Sequence, residues 1–246
     1  MVTATKTVTV TIDDKPYQAK EGATVLDVAR DNNIYIPTLC YNEAVASYGA
    51  CRLCLVEVTP KGGRKRLVTS CLYPVSDGLI VDTSSERVVN SRKMIMELLL
   101  ARCPESKVIQ DLAHKLGVET TRFKAEDKKC ILCGLCARAC HEVVGANAIS
   151  LVNRGVDREV AAPYYEPSEV CIGCGSCAYI CPVDAIEFED VDGVRRIKWP
   201  SGGMEFKLKK CKVCGCYWAP EKQLEFICQQ AGLPADAFDT CPDCRD

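Results

Sequence analysis

The strongest constraint on the fold of this chain is a pair of cysteine runs with the same spacing. Each run reads C-x2-C-x2-C-x3-C, and the second is followed directly by Pro182. The first run consists of Cys130, Cys133, Cys136 and Cys140, and the second consists of Cys171, Cys174, Cys177 and Cys181. This is the bacterial pattern for two [4Fe-4S] clusters, in which the fourth cysteine of each run ligates the other cluster. Eight zinc-binding cysteines are a poor alternative, because zinc sites use pairs of C-x2-C rather than tandem triplets.

The exchange of fourth cysteines predicts which side chains share each cluster. The first [4Fe-4S] cluster is assigned to Cys130, Cys133, Cys136 and Cys181. The second is assigned to Cys140, Cys171, Cys174 and Cys177. Residues 130–160 and 171–197 also align as an internal repeat, which predicts a domain with approximate twofold symmetry. His141 stands where the second run has proline, and it either hydrogen-bonds toward a cluster or simply begins a helix.

Four further cysteines precede these runs with the spacing C-x10-C-x2-C-x16-C. They are Cys40, Cys51, Cys54 and Cys71. Plant-type ferredoxins space their ligands C-x4-C-x2-C with a distant fourth cysteine, so the first gap is longer here. A strand-like alternation at residues 8–12, a helix capped by Thr24 and a strand-turn-strand pattern over residues 53–71 surround the set. A [2Fe-2S] cluster is therefore predicted, with zinc as the alternative that the spacing alone allows.

The end of the chain holds another set of cysteines in two C-x2-C pairs. They are Cys211, Cys214, Cys241 and Cys244. Four thiolates in two pairs suit tetrahedral zinc, a [4Fe-4S] cluster or mononuclear iron, and we favour these in that order. A helix beginning at Pro220 is predicted between the pairs, with Cys228 on its apolar stripe as a core residue. Cys216 is either a spare thiol or a substitute ligand.

Periodicity and turn signals divide the chain into four predicted parts of an α+β protein. Residues 84–102 and the apolar stripe that ends before Gly117 predict two helices. The segment "KWPSGGMEF" around residues 198–206 is rich in proline and glycine, and it predicts a linker. The predicted domains are a [2Fe-2S] domain over residues 1–83, a helical bridge over 84–124, a two-cluster domain over 125–200 and a metal-binding domain over 201–246.

Composition and local motifs exclude several other classes of function. The longest strongly apolar run, "MIMELLLA", is too short to cross a bilayer, and the first residues do not resemble an export signal. The basic cluster over residues 61–66 surrounds a Gly-Gly turn without a nucleic-acid-binding motif. The chain has no dinucleotide-binding glycine motif, phosphate loop or nucleophile elbow. We expect a soluble cytoplasmic protein with no substrate site of its own, no nucleic-acid partner and no membrane span.

The order of these motifs resembles a known family. The stretches "PTLCYNEAVASY" and "GACRLCLVEV" are followed by a helical bridge, then by "LCGLCARACHEVVGANAISLVNRG" and "EVCIGCGSCAYICPVDAI". Over residues 1–198 this order resembles the iron-sulfur diaphorase subunit of NAD-linked hydrogenases. It is equally similar to the N-terminal part of the large iron-sulfur subunit of complex I and to subunits of [FeFe] hydrogenases and formate dehydrogenases. The resemblance implies a β-grasp [2Fe-2S] domain and a ferredoxin-like pair of [4Fe-4S] clusters.

One departure from that family concerns an additional [4Fe-4S] cluster. The family usually carries a His-x3-Cys-x2-Cys-x5-Cys motif between the two modules. In this chain Cys103 occupies the position of the histidine, and Lys107 occupies that of the first cysteine. We therefore expect the additional cluster to be absent and Cys103 to bind no metal.

The resemblance also implies a role in electron transfer. We expect a non-catalytic relay subunit that passes single electrons between a flavin-containing NAD(P)H-oxidising subunit and a catalytic subunit. The catalytic subunit would be a hydrogenase, a formate dehydrogenase or part of an electron-bifurcating complex. The alternative is a freely diffusing polyferredoxin. A nearly neutral chain, with a net charge of -2, offers little electrostatic steering for such a carrier.

Overall fold

The computed structural model describes residues 6–245, and the chain forms two compact units. The first is Met1–Cys133 and the second is Gly134–Asp246. No helix in the described range is long and apolar enough to cross a membrane. The boundary between the units lies inside the first cysteine run. The first unit therefore contains Cys130 and Cys133, and the second contains Cys136 and Cys140.

The first unit begins with a five-stranded mixed sheet and one helix. Its elements are β1 (Thr7–Ile12), β2 (Lys15–Lys20), α1 (Val25–Asp31), β3 (Leu55–Thr59), β4 (Arg66–Thr69) and β5 (Leu79–Asp82). The strand order is β2-β1-β5-β3-β4, with β1 parallel to β5 and the other neighbours antiparallel. This architecture confirms the predicted β-grasp class and leaves the long α1–β3 loop free to carry cysteines.

Local sequence chemistry explains how this sheet and helix form. Val8, Val10 and Ile12 alternate along β1, and all three are buried in the core of the unit. Thr24 caps α1 as predicted, because its hydroxyl accepts from the Asp27 amide at 3.2 Å while Asp27 accepts from the Thr24 amide at 3.0 Å. Such reciprocal caps stabilise a helix by about 1 kcal/mol.

Two helices complete the first unit. They are α2 (Glu86–Arg102) and α3 (Lys107–Lys115), so both predicted helices are confirmed. Ser85 caps α2 by accepting from the Val88 amide, and Gly117 follows α3 with a φ of +69°. Arg92 of α2 is buried and donates through Nε and Nη2 to the Leu55 carbonyl at 3.1 and 2.6 Å. This contact joins the helical bridge to strand β3.

Residues 130–199 repeat one order of elements, as the internal repeat predicted. Each copy contains a cysteine run, a short helix and a β-hairpin. The first copy has α4 (Leu135–Arg138), a π-helical turn (Ala139–Val143), β6 (Ser150–Val152) and β7 (Glu159–Ala161). The second copy has α5 (Ser176–Tyr179), β8 (Glu187–Val191) and β9 (Val194–Trp199). Single 3-10 turns lie at Gly155–Asp157, Pro163–Tyr165 and Pro242–Cys244.

The predicted linker at residues 198–206 is wrong. These residues belong to a hairpin in which β9 pairs antiparallel with β10 (Gly202–Lys210), and Trp199 lies opposite Gly202. The sheet continues in the order β11-β10-β9-β8, where β11 is Tyr217–Pro220. Proline and glycine here form the turn of a hairpin rather than a flexible connection. The division of the chain into four domains remains a prediction.

The last helix is α6 (Glu221–Ala231), which Pro220 precedes as predicted. Gly232 ends it in the left-handed conformation, with a φ of +63°. Cys228 is only partly buried on this helix, and its thiol lies 3.5 Å from the Pro234 carbonyl oxygen. It therefore packs at the edge of the fold and not in its core.

Candidate iron-sulfur and metal centres

The four cysteines predicted for the [2Fe-2S] cluster are all buried in the first unit. Cys40, Cys51 and Cys54 come from the α1–β3 loop, and Cys71 follows β4. The Cys51 amide donates to the Cys40 sulfur at 3.4 Å, and the sulfurs of Cys54 and Cys71 are also 3.4 Å apart. The structure thus brings the four together as two adjacent pairs.

The electrostatics of these pairs favour a bound cation. The thiol hydrogen bond with Cys40 and burial raise the pKa of Cys51, and the hydrogen bond with Cys54 and burial raise that of Cys71. The hydrogen bond between Cys54 and Cys71 lowers the pKa of Cys54 to about 6. Four buried thiols therefore cannot all ionise unless positive charge compensates them. Iron ions bound by these thiolates would supply that charge.

A single cavity in the second unit collects the cysteines predicted for the second [4Fe-4S] cluster. Its lining includes Cys140, Cys171, Cys174 and Cys177. Cys140 comes from the first run and the other three come from the second, which is the combination that the exchange pattern predicts. The remaining wall is mainly apolar, and it includes Ile149, Ile172, Ile197 and Trp199. Four thiols around one apolar cavity fit a bound cluster.

Hydrogen bonds and burial tune the sulfurs in this cavity. Burial raises the pKa of Cys177 to about 12, while the Trp199 side chain acts in the opposite direction. Burial also raises the pKa of Cys171. The Cys140 sulfur accepts from the Ala148 amide at 3.2 Å. Backbone amides commonly donate hydrogen bonds to the cysteine sulfurs that bind iron-sulfur clusters.

The π-helical turn carries Cys140 to the cavity and leaves His141 outside it. His141 is exposed, and its Nδ1 lies 2.5 Å from Asn147 Oδ1. It lies within the π turn, so it does not begin a helix. Its ring partner is an asparagine, which argues against the interpretation that it hydrogen-bonds toward a cluster.

The set predicted for the first [4Fe-4S] cluster is divided between the two units. In the first unit, the Cys130 sulfur accepts from the Leu132 amide at 3.3 Å. The neighbouring carbonyl of Cys130 accepts from Arg102 Nε at 2.8 Å, which ties this loop to the end of α2. In the second unit, the Cys181 sulfur accepts from the Ala185 amide at 3.3 Å, and Cys136 is buried. This set remains a prediction.

The four C-terminal cysteines converge on one point. The sulfurs of Cys211, Cys214, Cys241 and Cys244 all lie within 4.8 Å of one another. Zinc-sulfur bonds of about 2.3 Å in a tetrahedron place sulfurs roughly 3.8 Å apart. The sulfurs of Cys214 and Cys241 are 3.7 Å apart. Such spacing suits one ion better than a cubane, whose irons and sulfides separate the thiolates further. Over residues 6–245, no other group of His, Cys, Asp or Glu side chains satisfies this single-ion distance.

Backbone amides at this site donate hydrogen bonds to sulfur and so stabilise the thiolate form of Cys211. The Cys241 amide donates to the Cys211 sulfur at 3.3 Å and, with the Cys214 amide, lowers the pKa of Cys211 to about 6. Cys216 lies beside the quartet, with its sulfur 3.2 Å from that of Cys214. The hydrogen bond with Cys214 raises the pKa of Cys216 to about 12, and it raises the pKa of Cys244 to about 12 as well.

Cys103 and Lys107 occupy the positions at which the resembled family usually carries ligands of an additional cluster. Cys103 ends α2 and is fully buried, and its amide donates to the Leu99 carbonyl at 2.9 Å. Lys107 is the first residue of α3 and is exposed. His114 is exposed on α3. Cys103 therefore packs at a helix end, and the absence of the additional cluster remains a prediction.

The sheet of the second unit forms a wall behind the second cysteine run. Arg195 of β9 is buried, and its Nη1 donates to the Gly173 carbonyl at 3.2 Å. Asp190 holds this guanidinium with two bonds of 2.8 Å. The Phe206 ring packs so closely on Gly173 that an added Cβ would lie 2.6 Å from it. The cysteine loop is thus held against β8–β10.

Comparison with known proteins places both cysteine regions in described families. Residues 5–86 match the 2Fe-2S iron-sulfur cluster binding domain, and residues 129–185 match the 4Fe-4S dicluster domain. The chain is 35% identical over 211 residues to the NADP-reducing hydrogenase subunit HndD of Solidesulfovibrio fructosivorans. It is 34% identical over 204 residues to the NADPH-Fe(3+) oxidoreductase subunit alpha of Geobacter sulfurreducens. The chain thus contains both kinds of iron-sulfur domain and is similar to iron-sulfur subunits of NAD(P)-linked oxidoreductases.

A solved structure of an NAD+-reducing [NiFe]-hydrogenase in the H2-reduced state contains a chain of similar fold. The TM-score is 0.63 at 27% identity, and the match covers 72% of this chain and 85% of the other. The two sequence matches cover 72% and 73% of this chain but only 35% of the Solidesulfovibrio protein and 24% of the Geobacter protein. The chain therefore spans about a third or less of the length of these curated relatives.

The sheet behind the second run is the part of the candidate site that sequence reasoning missed. It lies beyond residue 185, where the match to the 4Fe-4S dicluster domain ends. Alternation of Ile197 and Trp199 with Arg196 and Lys198 was the available signal for a strand. That pattern predicts a strand at β9. It does not predict that the buried face of β9 packs against the cysteine loop around Gly173.

Proposed function

We propose that this chain is a non-catalytic electron-relay subunit of an NAD(P)-linked oxidoreductase complex. The observation that carries the proposal is the order of its cysteine sets, which lie in the two matched domains as in the iron-sulfur subunits of this family. Iron-sulfur clusters, when bound, carry single electrons. Hydride transfer from NAD(P)H requires a flavin, which we assign to a partner subunit. The electron acceptor or donor at the other end would be a hydrogenase, formate dehydrogenase or bifurcating partner.

The first cofactor in the proposed relay is a [2Fe-2S] cluster held by four buried thiols. These are Cys40, Cys51, Cys54 and Cys71. Their burial in the first unit limits access of water. The 3.4 Å separation of the Cys54 and Cys71 sulfurs and the Cys51 amide that donates to the Cys40 sulfur support binding of shared cations by the four thiolates. The β-grasp sheet and α1 hold the loop that carries three of them.

Two [4Fe-4S] clusters are proposed for the eight cysteines of the tandem runs. The second cluster would be held by the four cysteines that line one cavity, and the apolar wall would exclude solvent. The first would be held by Cys130, Cys133, Cys136 and Cys181, which follows from the exchange of fourth cysteines. Backbone amides that donate to Cys130, Cys140 and Cys181 would stabilise the thiolates.

The C-terminal quartet is proposed to bind one zinc ion in a structural role. The mutual approach of its four sulfurs supports a single tetrahedral ion over a cubane. Mononuclear iron has the same geometry and is the alternative. Either ion would fasten the end of β10 to the chain terminus, because Cys211 directly follows β10 and Cys244 lies near the end.

The test is anaerobic purification of the native protein from its host, followed by identification of accompanying subunits and metal analysis. We expect a flavoprotein and a catalytic oxidoreductase subunit to accompany the chain. About ten irons and one zinc per chain are expected from the three clusters and the quartet. Electron paramagnetic resonance should resolve one [2Fe-2S] and two [4Fe-4S] signals.

Three outcomes would change the proposal. A monomeric protein that never accompanies a flavoprotein would replace the relay with a freely diffusing polyferredoxin. About fourteen irons without zinc would make the C-terminal quartet a further cluster. About eleven irons without zinc would indicate mononuclear iron at the quartet.

A further inference from the structure

Trp199 is the last residue of β9, and it carries a buried polar group with no conventional partner. The residue is 4% exposed. Its indole N–H is buried and makes no hydrogen bond of ordinary geometry within residues 6–245. Leaving a buried donor unsatisfied costs about 1–3 kcal/mol. A hydrogen-bond acceptor close to this N–H would therefore stabilise the folded protein.

The surroundings of Trp199 identify the acceptor. Trp199 lines the same cavity as the four cysteines assigned to the second [4Fe-4S] cluster. Its side chain is close enough to Cys177 to donate a hydrogen bond to that sulfur. A thiolate that binds iron is a better acceptor than a thiol, because it carries negative charge.

The position of the indole is fixed by a rigid element. Trp199 pairs with Gly202 across the β9–β10 hairpin, and the neighbouring Ile197 of β9 is buried in the same cavity wall. Arg195 and Phe206, on the same two strands, hold the Gly173 loop that carries the cysteines. The donor and the cysteine loop are therefore held by one sheet.

We propose that Trp199 is a positioning and tuning residue that donates its indole N–H to the Cys177 sulfur of the second [4Fe-4S] cluster and raises the reduction potential of that cluster. The inference rests on the proposed function, since it requires that cluster. Adding one electron increases the negative charge shared by the thiolate ligands. A donor aimed at one of these sulfurs stabilises the reduced state more than the oxidised state.

The test is a potentiometric titration of the holoprotein followed by electron paramagnetic resonance, with Trp199→Phe as the variant. Phenylalanine keeps an aromatic ring in the wall but has no N–H. We expect the potential of one [4Fe-4S] cluster to fall, with its reduction equilibrium shifted by up to tenfold, or about 59 mV for one electron. The other two clusters should keep their potentials.

Trp218→Phe is the matched control. The Trp218 indole N–H is also buried and without an ordinary partner among the described residues, but Trp218 lies in β11 and does not line the cavity. Its removal should leave all three potentials unchanged. An unchanged or raised potential in Trp199→Phe, with its full iron content, would overturn the proposal.

A second measurement covers the case in which Trp199→Phe fails to retain the cluster. The Trp218→Phe protein, labelled with 15N at the indole nitrogen, contains Trp199 as its single labelled tryptophan. Pulsed electron paramagnetic resonance of the reduced protein should then detect a 15N coupling to a [4Fe-4S] cluster. Absence of that coupling from a protein with both clusters would contradict the proposal. If the wild-type protein lacks the second cluster altogether, the iron count shows that the proposed function has failed, and the tuning proposal fails with it.

Discussion

Gly173 illustrates how single residues shape the candidate cluster site. Its φ is +71°, in the left-handed region that glycine adopts without steric cost. A Cβ at this position would lie 2.6 Å from the Phe206 ring, which is buried and therefore cannot easily move. Its carbonyl also accepts from Arg195. Conformation and packing thus both favour glycine between Cys171 and Cys174, and the bond from Arg195 holds its carbonyl in place.

The change Gly173→Ala should therefore reduce loading of the second [4Fe-4S] cluster. The new methyl group would push the cysteine loop away from β10 and misplace the sulfurs on either side. We expect a loss approaching four irons per chain, measured by metal analysis, with the [2Fe-2S] signal retained. Gly145→Ala is the control, because Gly145 has a similar φ of +75° but no atom within 4 Å of an added Cβ. Equal losses in both variants would assign the effect to backbone strain rather than to the contact with Phe206.

At the scale of elements, one side chain connects the helical bridge to the β-grasp sheet. Arg92 is 8% exposed, and burial lowers its pKa, yet the guanidinium stays charged because its unperturbed pKa is so high. Both of its bonds go to the Leu55 carbonyl, directly after the ligand candidate Cys54. Arg92 therefore links α2 to the end of the loop that carries three of the predicted cluster ligands.

We expect Arg92→Met to weaken this connection by about 1–3 kcal/mol, because a buried carbonyl loses its charged donor. Methionine retains much of the apolar volume of the arginine. Hydrogen exchange should become faster for the amides of β3 and α2. Arg64→Met, at the exposed β3–β4 turn, is the control and should leave exchange in both elements unchanged. Unaltered exchange in Arg92→Met would show that the apolar contacts of α2 suffice.

At the scale of the whole molecule, the C-terminal quartet and the cluster cavity lie in one unit. Strand β10 reaches both, because Phe206 packs on the Gly173 loop and Cys211 follows the strand directly. Lys209 and Lys212, near the end of this strand, both pair with Asp239 of the tail. Metal at the quartet would therefore order the outer end of the same sheet.

The change Cys211→Ser should abolish metal binding at the quartet and accelerate hydrogen exchange at the end of β10, in β11 and in α6. Removal of one of four thiolates leaves an incomplete tetrahedral site. Metal analysis and hydrogen exchange on the full chain provide the readout. Cys216→Ser is the control and should keep both the metal and the exchange pattern. Loss of metal from the control would instead identify Cys216 as a ligand.

The sequence predicted those features that depend on neighbours along the chain. The Thr24 cap and the Gly117 helix end both involve residues a few positions apart. The two matched domains were also predictable, because cluster ligation imposes fixed cysteine spacings that few other sites use. The β-grasp topology followed from resemblance to a family, since local patterns do not specify strand order.

What the sequence did not reveal depends on packing between distant residues. Proline and glycine around residue 200 are typical of both linkers and hairpin turns, and only the pairing of β9 with β10 distinguishes the two. Phe206 contacts Gly173 across more than thirty intervening positions, and no local pattern encodes that contact. The role of Trp199 likewise depends on which face of β9 meets the cysteine loop.

The β9–β10 hairpin also has a consequence for protein engineering. A chimaera that joins this chain to a relative at residue 200 would take its two strands from different parents. Their registers and their contacts with the cysteine loop would then be mismatched. Residues 171–210 should therefore be transplanted as one block, and libraries that recombine this family should place no crossover inside it.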